Sequence, residues 1–150
     1  DKLNQEGGET LRSYQQCFLV DSNGIIFEEK EPEREMIIQN GRDNAVLGDQ
    51  VIDRELLSNI LAFQKAIDSF ALFKEVGLRV TKAEVVLDER VIVKVSEGWE
   101  IYINPSESID WQITKVELVL DQEIPFEKRP LLEYIDLRSS DKIFYKLRGE

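Results

Sequence analysis

Three apolar segments joined by two-residue turns are the feature that most restricts the fold of this chain. The segments are residues 78–87, 90–96 and 99–104, and the turns are Asp88-Glu89 and Glu97-Gly98. Links this short join only antiparallel neighbours, because a parallel crossover needs a dozen residues or more. Val91, Val93 and Val95 alternate with longer side chains, as expected of a strand with one buried face. The sequence therefore predicts an antiparallel meander.

Two amphipathic helices are predicted on either side of this meander. The first spans residues 53–76, with apolar residues spaced three or four apart: Leu56, Ile60, Phe63, Ile67 and Phe70, widened by Leu57 and Leu61. The second spans residues 108–121, is capped by Ser108, and has Ile109, Ile113, Val116 and Leu120 on one side. Both stripes need an apolar partner surface. We therefore expect an α+β fold, with a mainly antiparallel sheet of about six or more strands and both helices packed on it.

The remaining segments complete this fold and set its boundaries. Asn23-Gly24 lies between two apolar runs and predicts a hairpin, and residues 36–38 predict a short strand. Residues 122–130 are expected to form a loop before two closing strands, residues 132–138 and 143–147. The polar residues 1–13 are interpreted as a lead-in or linker, and residues 14–150 as one domain. Because the first residue is Asp1 rather than Met, we expect a piece of a longer product.

Composition narrows the classes of function. The chain contains no histidine, which removes the commonest general base and zinc ligand, and Cys17 is its only cysteine. The net charge of −11 argues against nucleic-acid binding. No glycine-rich phosphate-binding motif occurs, so we expect no cofactor; because histidine is also absent, we expect no metal site. No apolar run is long enough to span a membrane. A binding or structural protein is therefore favoured over an enzyme.

Asp136 is an acid of interest, because it lies in Tyr134-Ile135-Asp136-Leu137-Arg138 with hydrophobic residues on either side. It could be a catalytic carboxylate, but Arg138 lies two residues along on the same face of the strand, so a structural ion pair is the favoured interpretation. Trp99 and Trp111 are expected in the core or at its edge. An acid-based hydrolase stays open as an alternative, and a deep pocket with converging carboxylates would favour it.

Two motifs resemble a known family. Phe18-Leu19-Val20-Asp21-Ser22-Asn23-Gly24-Ile25-Ile26-Phe27 is similar to the opening of the β domain of FtsQ/DivIB cell-division proteins. Glu133-Tyr134-Ile135-Asp136-Leu137-Arg138, followed by the strand at residues 142–146, resembles the end of that domain. The resemblance covers roughly residues 14–148. It implies a non-enzymatic divisome protein with an upstream transmembrane helix and POTRA domain, and with this domain outside the cytoplasmic membrane at the division site.

The resemblance also implies a binding surface. In the family the final strand is an open sheet edge that accepts a strand from FtsB or DivIC; the domain also holds FtsL, and so helps regulate septal wall synthesis. Carried onto this chain, the predicted partner-binding residues are Arg138, Ser139, Ser140, Lys142, Ile143, Phe144, Tyr145 and Lys146.

Two alternatives to this docking edge stay open. Lysines on an exposed strand can simply protect the edge against aggregation. The chain could also be an interaction domain of another POTRA-containing membrane assembly or secretion protein.

Overall fold

The computed structural model describes residues 16–33, 35–40, 44–69, 78–86 and 90–149. Within these ranges the strands are β1 Phe18–Val20, β2 Ile26–Glu29, β3 Ile37–Gln39, β4 Val80–Val86, β5 Arg90–Val95, β6 Glu100–Ile103, β7 Leu132–Asp136 and β8 Phe144–Leu147. The helices are α1 Arg54–Ser69, α2 Ile109–Gln122 and a 3₁₀ helix, Phe126–Leu131. The predicted lead-in, residues 1–13, lies outside the described residues.

The strands form two sheets. β1 and β2 are an antiparallel pair, and the larger sheet has the order β3-β4-β5-β6-β7-β8. The predicted meander β4-β5-β6 is confirmed, and β7 pairs antiparallel with β8. Two pairs, β3-β4 and β6-β7, are parallel, because α1 and α2 carry the chain from one end of the sheet back to the other. The predicted α+β fold with a mainly antiparallel sheet is confirmed.

One face of the large sheet packs against both helices. The core joins Leu57, Ile60, Phe63 and Ile67 of α1 with Val116, Val119 and Leu120 of α2 and with the inward residues of β4 to β7. The predicted role of Leu61 is wrong, because 43% of its side chain is exposed. It follows Ile60 by one residue, and this turns it about 100° away from the buried stripe. Phe70 and the predicted end of this helix lie outside the described residues.

The helix cap at Ser108 and the hairpin at residues 21–24 form where the sequence predicts them. Ser108 caps α2, since its hydroxyl accepts a hydrogen bond from the Trp111 N–H. The hairpin between β1 and β2 turns at Asp21, whose carboxylate accepts bonds from two backbone N–H groups of the turn. Gly24 has a φ of 79°, and a Cβ at this position would lie 2.0 Å from the Ile52 carbonyl oxygen. Only glycine fits there.

The segment before the closing strands differs from the prediction. Residues 122–130 were expected to be a loop, but α2 continues to Gln122 and residues 126–131 form the 3₁₀ helix. Pro125 directly precedes this helix, where a missing N–H costs no hydrogen bond. The closing strands are also shorter than predicted, because β7 ends at Asp136 and β8 begins at Phe144.

Candidate functional site

The outer side of β8 is the candidate site, and we call residues 139–146 the C-terminal edge. β8 is the terminal strand of the large sheet, and no strand lies beyond it among the described residues. Its inner side is well held, because Leu147 is buried against the core and the Arg148 N–H donates to the Leu131 carbonyl oxygen at 2.5 Å. The edge is therefore fixed on one side, and its outward-facing backbone groups have no strand partner in the part of the chain that is described.

The side chains along this edge differ on its two faces. Leu147 is buried in the core and Ile143 packs partly against it, so these two residues lie on the face of the sheet that the helices cover. Phe144 is 53% exposed, and Tyr145 on the other face is 37% exposed. Lys142 and Lys146 are exposed as well, and Lys146 reaches Glu133 only at 3.9 Å. Two aromatic rings and two cations are thus open to solvent beside the uncovered strand.

Arg138, at the end of β7, is held by an acid and does not point freely into solution. Its Nε donates to Asp136 Oδ1 at 2.9 Å and its Nη2 to Oδ2 at 2.7 Å, and its backbone N–H also donates to Oδ1. Burial by itself would raise the pKa of Asp136, but these hydrogen bonds and the guanidinium charge outweigh it and lower the pKa. The predicted structural pairing of Asp136 is confirmed.

The solvent-facing side of the sheet carries aromatic rings next to β8. The Tyr102 and Tyr134 rings stack with centroids 5.1 Å apart, and the guanidinium groups of Arg90 and Arg138 each lie 5.6 Å from the Tyr102 ring centre. Burial and the neighbouring Glu100 carboxylate raise the pKa of Tyr102. In the strand register Tyr102, Asp136 and Phe144 are successive neighbours across three strands. Phe144 therefore extends a row of packed side chains to the edge of the sheet.

The connection from β7 to β8 is attached to α2 through Trp111, which was expected in the core or at its edge, and through Lys115, which sequence reasoning missed. Lys115 Nζ donates to the carbonyl oxygens of Leu137 at 3.1 Å and Ser139 at 2.5 Å, and Trp111 Nε1 donates to the Ser140 carbonyl at 3.1 Å. Lys115 is only 2% exposed, and burial lowers its pKa. One sequence signal could have indicated this burial: Lys115 is adjacent to Val116, so it lies beside the apolar stripe of the helix.

Trp111 differs from its expected setting. Trp99 is 1% exposed and lies in the core as predicted, whereas Trp111 is 47% exposed on α2. Its indole N–H reaches the loop carbonyl, and the Lys115 ammonium lies 5.8 Å from its ring centre. The ring is thus held beside the C-terminal edge rather than inside the core.

Two further polar side chains, Gln112 and Glu97, hold neighbouring parts of the fold together through hydrogen bonds. Buried Gln112 exchanges two hydrogen bonds with the backbone of Asn104, and Glu97 accepts from both Trp99 Nε1 and Arg129 Nη2. A depression of about 200 Å³ lies near the start of α1, lined by Asp53, Glu55, Leu56, Asn59, Pro105 and Ser106. No group of three or more metal-ligating side chains occurs in the described ranges, and no helix in them is long and apolar enough to cross a membrane.

The described residues form an α+β domain whose terminal strand β8 exposes aromatic and basic side chains and has no strand beyond it among them. The sequence matches the family described as "Cell division protein FtsQ/DivIB, C-terminal" over residues 11–138, and the chain belongs to this family. No individual curated protein matches the chain. The family match confirms the resemblance and indicates a role in cell division, and FtsQ/DivIB proteins are non-enzymatic division scaffolds.

The matched range ends at Arg138, so the C-terminal edge follows it directly. Seven of the predicted partner-binding residues, from Ser139 to Lys146, therefore lie outside the matched range. Their role stays a prediction from the resemblance. The structure brings these residues together along one edge, with Arg138 turned onto Asp136 at its beginning.

Proposed function

We propose that this domain is a divisome scaffold module that binds FtsB/DivIC-like and FtsL-like division proteins on the extracytoplasmic side of the membrane. Binding takes place by addition of a partner strand to the outer side of β8. An upstream transmembrane helix tethers the domain at the division site. The proposal combines family membership with one observation, which is that β8 ends the sheet order and has no strand beyond it in the described part of the chain.

The chemistry of β8 supports strand addition over simple edge protection. A protected edge is expected to carry charges without apolar anchors, whereas Phe144 and Tyr145 expose large rings directly on this strand. In strand addition, main-chain hydrogen bonds supply affinity and side-chain contacts supply specificity. An aromatic anchor with charged neighbours fits the second requirement.

Charge indicates which kind of segment docks. The chain has a net charge of −11, yet Lys142, Lys146 and Arg148 lie within seven residues at this edge. This local excess of cations attracts an acidic segment and repels basic ones. The partner strand is therefore expected to carry Asp or Glu among apolar residues.

The direct test is titration of the chain with a peptide from the extracytoplasmic segment of the DivIC- or FtsB-like protein of the same genome. Tyr145→Pro and Lys146→Pro form a matched pair, because N–H groups of adjacent strand residues point alternately towards the neighbouring strand and away from it. One proline should break the ladder to β7 and lower Tm. The other should leave Tm near that of the wild type and weaken binding by about fivefold, since one main-chain hydrogen bond is worth about 1 kcal/mol.

The outcome that contradicts the proposal is equally specific. If the proline variant with an unchanged Tm binds the peptide normally, the outer side of β8 is not the docking site. Deletion of the strand is a poorer test, because Leu147 belongs to the core and its loss would unfold neighbouring structure.

A further inference from the structure

We propose that Lys115 and Trp111 are positioning residues that hold the C-terminal edge in the geometry needed for strand addition. This inference rests on the proposed function of that edge and adds a second element, α2, to it. Neither residue lies on β8. Both act through the connection between β7 and β8, by bonding three of its carbonyl groups.

The first step of the argument is the geometry. Trp111 and Lys115 are four residues apart and therefore share one side of α2, one turn above the other. Their three hydrogen bonds end on Leu137, Ser139 and Ser140. The Leu137 N–H in turn donates to the Tyr102 carbonyl at 2.9 Å. The segment that leads from β7 into β8 is thus attached both to the sheet and to α2.

The second step concerns the choice of a lysine. An apolar side chain of similar length would fill this position without the desolvation that lowers the Lys115 pKa. An ammonium group offers three donors, and two of them end on carbonyl oxygens of this one connection. The desolvation cost of this cation offsets part of the stability that its two hydrogen bonds add, while the bonds still fix the positions of the Leu137 and Ser139 carbonyl groups.

The third step links this conformation to binding. Added strands pair in register only if the edge strand is already extended and fixed, because disorder at the edge has to be removed on binding. The β8 side chains are held on one side through Leu147, near the end of the strand. The bonds from α2 hold the connection that leads into this strand, and the last of them ends on Ser140, four residues before Phe144. The exposed residues of β8 therefore lie between two attached points.

The test uses Lys115→Met, which keeps length and apolar contact but cannot donate, and Trp111→Phe, which keeps a ring but removes the indole N–H. The matched control is Lys65→Met, the same substitution at an exposed lysine of α1. Three quantities are measured for each variant: Tm, amide hydrogen exchange of residues 139–147, and affinity for the DivIC- or FtsB-derived peptide of the titration above. Trp111 fluorescence serves as an independent reporter of docking in the wild type.

We expect Lys115→Met to lower Tm, because two backbone carbonyl oxygens lose their donor. It should also speed exchange in residues 139–147 more than in β5 and β6, and weaken peptide binding by about tenfold or more. Trp111→Phe should act in the same direction, and Lys65→Met should change none of the three. Exchange that speeds equally in β5, β6 and residues 139–147 would overturn the positioning role, as would unchanged affinity in both α2 variants.

Failure of the two proposals can be told apart. If the peptide does not bind the wild-type chain, the proposed docking function fails, and the exchange measurement still decides whether α2 holds the edge. Unchanged exchange of residues 139–147 in both variants rejects the positioning role regardless of the peptide result.

Discussion

Arg138, two residues beyond the end of β7, forms a bidentate ion pair with Asp136, the last residue of that strand, with Nε and Nη2 donating to the two carboxylate oxygens at 2.9 and 2.7 Å. The side chain of Asp136 is 15% exposed and that of Arg138 is 40% exposed. Asp136 lies on β7, the neighbour of β8 in the sheet, and is directly opposite Phe144 in the strand register. It therefore stabilises the sheet next to the C-terminal edge and directs the Arg138 guanidinium towards Tyr102.

Removal of the Asp136 charge should lower stability. We expect Asp136→Asn to reduce the free energy of unfolding by about 1–2 kcal/mol at pH 7, because charged hydrogen bonds are lost while the exposure of Arg138 limits their value. Urea denaturation measures the change. Asp121→Asn, at an exposed position of α2, is the control and should stay near the wild type. Equal stability of all three proteins would show that the pair contributes nothing measurable.

The same pair predicts a dependence of stability on pH. The folded-state pKa of Asp136 lies below its ordinary value of 3.8, so between the two values the unfolded chain binds more protons than the folded one. The contribution of Asp136 is therefore complete above pH 3.8 and is lost as the pH falls through the folded-state pKa. Unfolding free energies of wild type and Asp136→Asn, measured from pH 6 downwards, should converge in acid. Parallel curves would contradict this assignment.

Phe144 should be the main side-chain anchor of the proposed docking edge. We expect Phe144→Ala to weaken peptide binding by about tenfold or more, since aromatic residues dominate binding energy at interfaces. Phe27→Ala is a closely matched control, because Phe27 also lies on a strand and is 54% exposed against 53% for Phe144. Isothermal titration of both variants measures the difference. Similar losses in the two proteins would mean that the ring at β8 has no special role.

Lys142 should act on the rate of association. We expect Lys142→Ala to lower the association rate constant and its dependence on salt, with little change in the dissociation rate constant, because exposed rim charges steer encounters. Stopped-flow fluorescence at two salt concentrations gives both rate constants. Lys82→Ala, on β4 away from this edge, provides the comparison. A change confined to dissociation would argue for a direct contact instead of steering.

Gln112 should matter for stability through the backbone of Asn104. Its Oε1 accepts from the Asn104 N–H and its Nε2 donates to the Asn104 carbonyl, both at 2.8 Å, and the side chain is 1% exposed. Gln112→Met keeps the volume but leaves these backbone groups without their partner, so we expect a loss of about 2–3 kcal/mol in unfolding free energy. Gln122→Met, at the exposed end of α2, should be close to neutral in the same urea titration.

Local patterns in the sequence were sufficient to predict the β4-β5-β6 meander, the helices α1 and α2, and one ion pair. The two-residue links determined the β4-β5-β6 meander, and spacings of three and four residues located α1 and α2. The Asp136–Arg138 pair could be predicted because residues two apart on a strand share a face. Each of these features depends on contacts between residues close in the chain, so periodicity and turn chemistry carry the information.

Contacts between distant segments decided the rest. The parallel pairing of β3 with β4 and of β6 with β7, and the terminal place of β8, depend on how whole elements pack together. Lys115 is buried and Trp111 is half exposed because the connection after β7 crosses α2 and offers carbonyl oxygens there. Leu61 is exposed because the sheet covers only one side of α1. The sequence by itself determined the strands and the two long helices. Only the tertiary structure decided the 3₁₀ helix at Phe126–Leu131, which described strand ends the sheet and which side chains hold it, since those properties arise from long-range packing.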